Sequence, residues 1–172
     1  IVLSGGSAFG LDAPNGVVEY LREQGKGFAI GPFNVPIVPT AIIFDLRNGG
    51  DKTWHKNPYP ALGRQAIENA SENFQLGSHG AGFGATTGQV KGGLGSASSI
   101  LSNGVIVGAL VIVNAMGNVI DPVSGKFWAA PFELENEFGG YGAPGDAIYG
   151  SALKYSKINS CLLYTSPSPR DW

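Results

Sequence analysis

Between Gly77 and Ser99 the chain reads GSHGAGFGATTGQVKGGLGSASS, almost entirely glycine, alanine, serine and threonine. So little side chain cannot pack as an ordinary core element. Glycine in such a run serves to reach positive φ, or to let another backbone or a ligand come close. Lys91 sits in the middle of the run, beside Gly92 and Gly93. Two readings follow: a backbone-walled pocket into which Gln89 and Lys91 point, or a structural glycine loop. A flexible linker does not fit, because apolar periodic segments flank the run on both sides.

Length bounds the rest: 172 residues make about one domain. With 43% hydrophobic and 14% charged residues the chain can bury a core and is far from a disordered composition. Its 27 glycines follow no three-residue period, which excludes a collagen-like helix. The net charge of −2 offers no basic field for nucleic acid or anionic lipid. No apolar run approaches the ~20 residues that a membrane helix needs. A single cysteine, Cys161, rules out a disulfide framework. His55 and His79 fall on separate loops without a carboxylate pattern, so each reads as a surface or hydrogen-bonded histidine rather than a metal ligand.

Along the chain, Ile1-Val2-Leu3 reads as a short strand ended by Ser4-Gly5-Gly6-Ser7. A helix follows, with Pro14 in its first turn, Val17, Val18 and Leu21 on one face and Gly25 as its stop. The glycine spacing after the strand matches neither dinucleotide nor phosphate-loop patterns, which excludes nucleotide binding there. Residues 41–46 predict a buried strand, with Pro36 and Pro39 outside the ladder. Asp45 reads as its solvated end or as a site carboxylate, the former being the commoner case. Residues 47–60 are loop, and a second helix is expected from about Pro60 to Asn73, with Leu62, Ala66, Ile67 and Ala70 as its apolar stripe. GVIVGALVIV, residues 104–113, is apolar on both faces and predicts a central strand covered on both sides. Asn114 ends it, as a strand-end turn residue or as a site amide. Asp121-Pro122 and Ser124-Gly125 mark a turn, and Glu133, Glu135 and Glu137 an exposed face.

LSGGSAFGLDA (3–13), VPIVPTAIIFDL (35–46), ALGRQAIENA (61–70), GAGFGATTGQVKGGLGSAS (80–98) and VNAMGNVIDPVSG (113–125) occur in this order. Together they resemble the self-processing hydrolases that include the L-aminopeptidase/D-esterase, the β-peptidyl aminopeptidases and the nylon-oligomer hydrolase. The resemblance covers nearly all of residues 1–160. It implies an α/β fold, specifically part of a four-layer αββα sandwich. In that family one precursor cuts itself into an α and a β subunit. The Ser or Thr exposed at the start of the β subunit is the nucleophile, with its own α-amine as base. By resemblance Asn114 takes the catalytic role of supporting the oxyanion. Gln89, Lys91 and Phe44 fall at substrate-binding positions. The nylon hydrolase carries lysine where Gln89 stands and tyrosine where Phe44 stands, while Lys91 matches the KGG block of the β-aminopeptidase branch. The nylon substrate is therefore not carried over.

The same resemblance implies a peptide or small amide substrate, a β subunit of the same precursor as partner, and a homo-oligomer. It calls for no cofactor, metal, nucleic acid or membrane, and suggests a soluble bacterial protein of cytoplasm or periplasm. The chain begins at Ile1, inside a strand, and reads as an internal piece lacking its N-terminal part and β subunit. Residues 161–172, CLLYTSPSPRDW, resemble a translated sequencing adapter and form a foreign tail to the 1–160 α-subunit core. On this reading the chain alone is inactive, with open sheet edges. Alternatives are an ornithine/glutamate acetyltransferase-like acyl transferase, or a non-catalytic homologue that binds small peptides.

Overall fold

A computed structural model describes residues 1–88 and 90–145. Gln89, Cys161 and the expected foreign tail, residues 161–172, lie outside the described residues. The chain divides into two compact units, Ile1–Thr86 with Lys91–Asn114, and Thr87–Val90 with Ala115–Trp172. The architecture is α/β, with small two-stranded sheets and few helices.

In the first unit, β1 (Val2–Ser4) pairs in parallel with β4 (Thr40–Ile42), Leu3 opposite Ala41. Parallel neighbours need a crossover, and α1 (Ala13–Glu23) lies within it, entered through a 3-10 turn at Ser7–Asp12. Pro14 stands in the first turn of α1, where its missing N–H is an orphan anyway. The helix stops as the sequence predicts. Gly25 takes φ 65°, its N–H bonds the Arg22 carbonyl (3.0 Å), and the Lys26 N–H bonds the Leu21 carbonyl (2.8 Å). That is the Schellman pattern, which needs a left-handed residue just past the helix.

The same crossover holds an antiparallel hairpin that sequence periodicity missed, β2 (Phe28–Ile30) with β3 (Phe33–Val35). Both strands are exposed, so they lack alternation; the signal available was the Gly31-Pro32 turn between apolar runs.

Helix α2 (Tyr59–Glu68) ends earlier than expected: the Asn69 N–H makes a last helical bond to the Gln65 carbonyl (3.1 Å), which the Asn69 side-chain amide also reaches (2.8 Å), and the Ala70 N–H turns to the Ile67 carbonyl three residues back (3.3 Å). Ala70 therefore leaves the helix. Nor is the expected stripe what packs, since Leu62 is 49% exposed while Gly63 is buried. Backbones meet instead: a Cβ on Gly63 would strike the Ala13 carbonyl, and one on Gly16 the Pro60 carbonyl.

Arg64 ties the two helices at their surface, 2.7 Å from Glu23 on α1 and 2.7 Å from Glu68 one turn on. Its hydrogen bond, aided by its charge, holds the Glu23 carboxyl below the ordinary glutamate range against the opposing effect of desolvation. A depressed folded-state value means that the link contributes above the unfolded value and is lost as pH falls through the folded one. Carbon-detected NMR titration is expected to place the Glu23 midpoint below that of the unfolded chain, with Arg64→Ala returning it to the ordinary range. An unshifted wild-type midpoint would contradict the link.

The glycine run does not behave as a linker. A 3-10 turn at Gly80–Gly82 leads to β5 (Thr86–Thr87) and β6 (Val90–Lys91), which pair. Gly77 exchanges both backbone hydrogen bonds with Leu94, each 2.8 Å. Next come β7 (Leu94–Ile100) and β8 (Ile106–Ile112), antiparallel from Leu94↔Ile112 to Ile100↔Ile106. Here the expectation of a central, doubly covered strand is corrected. β8 pairs with β7 alone among the described residues, and Ile106 is 69% exposed. Apolar character on both faces encodes a strand suited to two covering layers, which the described residues do not supply. Burial is correspondingly thin: Ala13, Val17, Ile43 and Ala85 are the buried apolar residues described.

In the second unit the Asp121 turn forms as expected. Asp121 accepts from Ser124 N (2.9 Å), Ser124 Oγ (2.6 Å) and Val123 N (3.2 Å). The Ser124 hydroxyl above all, with the two backbone N–H groups, lowers its pKa despite burial. The acids beyond it cap their own turn: Glu133 accepts from Phe138 N (2.7 Å) and Gly140 N (3.0 Å), and Glu137 from Leu134 N (3.2 Å).

Candidate active site

Two strand ends meet in the first unit. Past Ile42 the ladder continues for one residue, with the Ile43 N–H on the Ser4 carbonyl at 3.0 Å. The chain then leaves the sheet, and the Phe44 N–H donates to Asn114 Oδ1 at 2.8 Å, across 70 residues of sequence. Asn114 follows β8 closely, so the end of one two-stranded sheet is clamped to the end of another.

The direction of this bond decides what Asn114 can do. A backbone N–H can only donate, so it fixes which end of the amide faces Phe44. The carboxamide oxygen is the end that holds Phe44, so the N–H donors belong to the other end of the amide, Nδ2. Among the described residues no hydrogen bond engages Nδ2, and Asn114 is exposed. An open pair of oriented amide donors can bind an anionic or developing oxyanion oxygen.

The segment that carries Phe44 is held from two sides. On one side stands the Gly5–Ser7 turn. The Gly6 N–H donates to Asp45 Oδ1 (2.5 Å), the Ser7 N–H to the Ile43 carbonyl (3.1 Å), and the Leu46 N–H to Ser7 Oγ (3.2 Å). Ser7 is buried and adopts φ 52°, a conformation uncommon for a residue with a Cβ. On the other side, Asn48 Nδ2 reaches the Gly84 carbonyl (2.8 Å) and Thr86 Oγ1 (3.1 Å) in the glycine run. Asp45 is thus no solvated strand end; it is half-buried with a backbone partner. Burial, with the Asp45 charge second, raises the pKa of the nearby Tyr59 phenol.

Phe44 and Asn114, which sequence reading placed in the site, come together. Lys91 stands elsewhere, its Nζ 5.0 Å from the centroid of the exposed Phe83 ring. No hydrogen bond or ion pair among the described residues joins it to Phe44 or Asn114. Gln89 lies outside the described residues. Ser7 and Asn48 carry no site signal in the sequence, because their partners are distant in it, and Asp45 reads there as a solvated strand end or a site carboxylate, the former being the commoner case. No group of His, Cys, Asp and Glu that could hold a metal ion occurs among the described residues, and no described helix is long and apolar enough to cross a membrane.

The chain is similar in sequence to several known proteins. An uncharacterized aminopeptidase of Mycobacterium bovis is 44% identical over 160 residues, covering 93% of this chain and 45% of that protein. One from Mycobacterium leprae is 40% identical over 146 residues, 80% of this chain and 39% of that protein. A 6-aminohexanoate-oligomer endohydrolase of Paenarthrobacter ureafaciens is 34% identical over 131 residues, 70% of this chain and 35% of that protein. The chain therefore spans less than half the length of these curated relatives. Residues 1–162 match the profile of Peptidase family S58, taking in β1, the Phe44–Asn114 clamp and the glycine run together, and the chain belongs to that family.

Proposed function

We propose that the protein carrying this chain is an amide-bond hydrolase that cuts itself into two subunits, and that Asn114 stabilises the oxyanion of the tetrahedral intermediate. The observation that carries this reading is the Phe44 N–H to Asn114 Oδ1 bond, which holds an exposed Asn114 by its oxygen and leaves Nδ2 without a hydrogen bond among the described residues. The family and the names of the relatives, aminopeptidase and 6-aminohexanoate-oligomer endohydrolase, support amide hydrolysis.

In this reading a Ser or Thr at the start of the β subunit attacks the scissile carbonyl, its α-amine taking the proton. The oxygen that gains charge is met by Asn114 Nδ2. Phe44 has no hydroxyl and its N–H is given to Asn114, so its ring is what it offers a substrate. Lys91 and Gln89 contact substrate away from the oxyanion. The rest of a four-layer αββα sandwich is built with the β subunit, whose strands cover and extend the β7–β8 ribbon. The exposed apolar side chains of Ile106, Val107, Leu110 and Val111 support that placement, since a bare two-stranded ribbon is marginal in water. The substrate is a peptide or small amide, and the processed protein assembles as a homo-oligomer.

The test uses the full-length protein. Intact-mass and N-terminal analysis should find two chains, the second beginning with Ser or Thr. The p-nitroanilides of L-, D- and β-alanine and a 6-aminohexanoate trimer serve as probes. A single uncut chain without amide hydrolysis would sink the proposal, as would acetyl transfer from N-acetylornithine in place of hydrolysis.

A further inference from the structure

Gly5 and Gly84 belong to different loops, and neither has a positive φ that would call for glycine. What they share is a neighbour. A Cβ built on either would fall on the same atom, Oδ2 of Asp45. The other carboxylate oxygen, Oδ1, accepts the Gly6 N–H at 2.5 Å, and Gly6 is held at φ 89° with the Tyr59 ring where its own Cβ would be. Two glycines from two loops thus leave room for one carboxylate, and a third, Gly6, donates to it. The main chain of Asp45 is held as well, its carbonyl accepting the Asn48 N–H at 2.9 Å.

The seat lies next to the clamp. Asp45 directly follows Phe44, at the point where the β1–β4 ladder has run out and side-chain bonds take over. A charge-assisted hydrogen bond to a backbone N–H is among the stronger anchors a chain can use. Without it, the chain from Phe44 to Leu46 keeps the Ser7 contacts but loses its fixed point beside the Phe44 peptide.

We propose that Asp45 is a positioning residue: seated between Gly5 and Gly84 and bound by Gly6, it fixes the Phe44 N–H that holds the Asn114 amide by its oxygen. Asp45 touches no substrate and acts through Asn114, so its catalytic consequence rests on the oxyanion reading above. The clamp itself does not rest on that reading.

The experiment compares Asp45→Ala, Asp45→Asn, Gly84→Ala and Asn114→Ala in the full-length protein, with the alanine p-nitroanilides as probes. It also follows the exchange of the Phe44 amide proton by NMR. Asp45→Ala should lower kcat about tenfold or more with KM nearly unchanged, as expected when a catalytic group is misplaced rather than removed. Its Phe44 amide should exchange about tenfold faster through local opening. Asp45→Asn keeps an oxygen for Gly6 and should recover most of the loss. Gly84→Ala leaves Asp45 in place but drives a methyl into its carboxylate. It should reproduce both signatures even if Asp45→Ala does not fold. The double variant Asp45→Ala/Asn114→Ala should be no worse than Asn114→Ala alone, because residues acting as one unit are not additive.

Unchanged Phe44 exchange in folded Asp45→Ala and Gly84→Ala overturns the proposal, and so does additivity in the double variant. Full activity of Asn114→Ala overturns the oxyanion reading and the catalytic consequence drawn from it. Fast Phe44 exchange in that case would still establish that Asp45 holds the clamp, so the two failures are distinguishable.

Discussion

Replacing Asn114 by alanine is expected to lower kcat of the full-length protein about 10²–10³-fold, the range for loss of one oxyanion donor. KM should move little, because the donors meet full negative charge in the transition state and a weaker dipole in bound substrate. Asn114→Asp separates the two ends of the side chain. It keeps an oxygen for the Phe44 N–H, so the clamp at 2.8 Å can persist. It replaces both Nδ2 donors with a lone-pair oxygen and adds a negative charge where an oxyanion would form. Its loss should match or exceed that of alanine while the fold is retained. If either variant keeps kcat within about threefold, the oxyanion term worth several kcal/mol is not supplied here. Steady-state kinetics with the same p-nitroanilides decide the matter.

The largest effect on stability is expected at the crossing of α1 and α2. On an exposed helix surface glycine to alanine is stabilising by about 1 kcal/mol through propensity. At Gly16 and Gly63 the sign reverses. The added methyl would meet the carbonyl of Pro60 or of Ala13, backbone atoms that no rotamer change can move aside. Overpacking of this kind costs about 1–3 kcal/mol, so each alanine should destabilise despite its propensity gain, and Gly16→Val should do so more. Chemical denaturation should show a lower midpoint at unchanged slope. The two sites share one contact, so the double variant should fall short of the sum. A stabilised Gly63→Ala protein would mean that the helices stand further apart than described.

Local signals in the sequence carried what depends on local chemistry. Pro14 and Gly25 bound α1 because a missing N–H and a left-handed conformation are properties of single residues. Ile106 to Ile112 is legible as a strand from its β-branched content. Its surroundings are not, since two apolar faces specify what a strand can be covered with, not whether the covering lies in this chain. Asp45 was misread for a related reason. Its seat is assembled from Gly5, Gly6 and Gly84, each about 39 residues away in one direction or the other, and no window around Phe44-Asp45-Leu46 contains them. Asn114 and Phe44 were placed by family resemblance rather than by periodicity. What the structure adds is the orientation of the amide, which no alignment of letters records.

The separation of 70 residues between Phe44 and Asn114 also has a meaning in time. Contacts so distant form only after the entropy of closing the intervening loop has been overcome, and they come late in folding. Helix α1, with its own stop signal, can form early, but the clamp cannot. If the protein cuts itself as proposed, and the same amide donors serve that cut, a nascent or misfolded precursor would lack the means to make it. The appearance of the second chain would then report that folding is complete, a checkpoint set by chain order rather than by any added regulator.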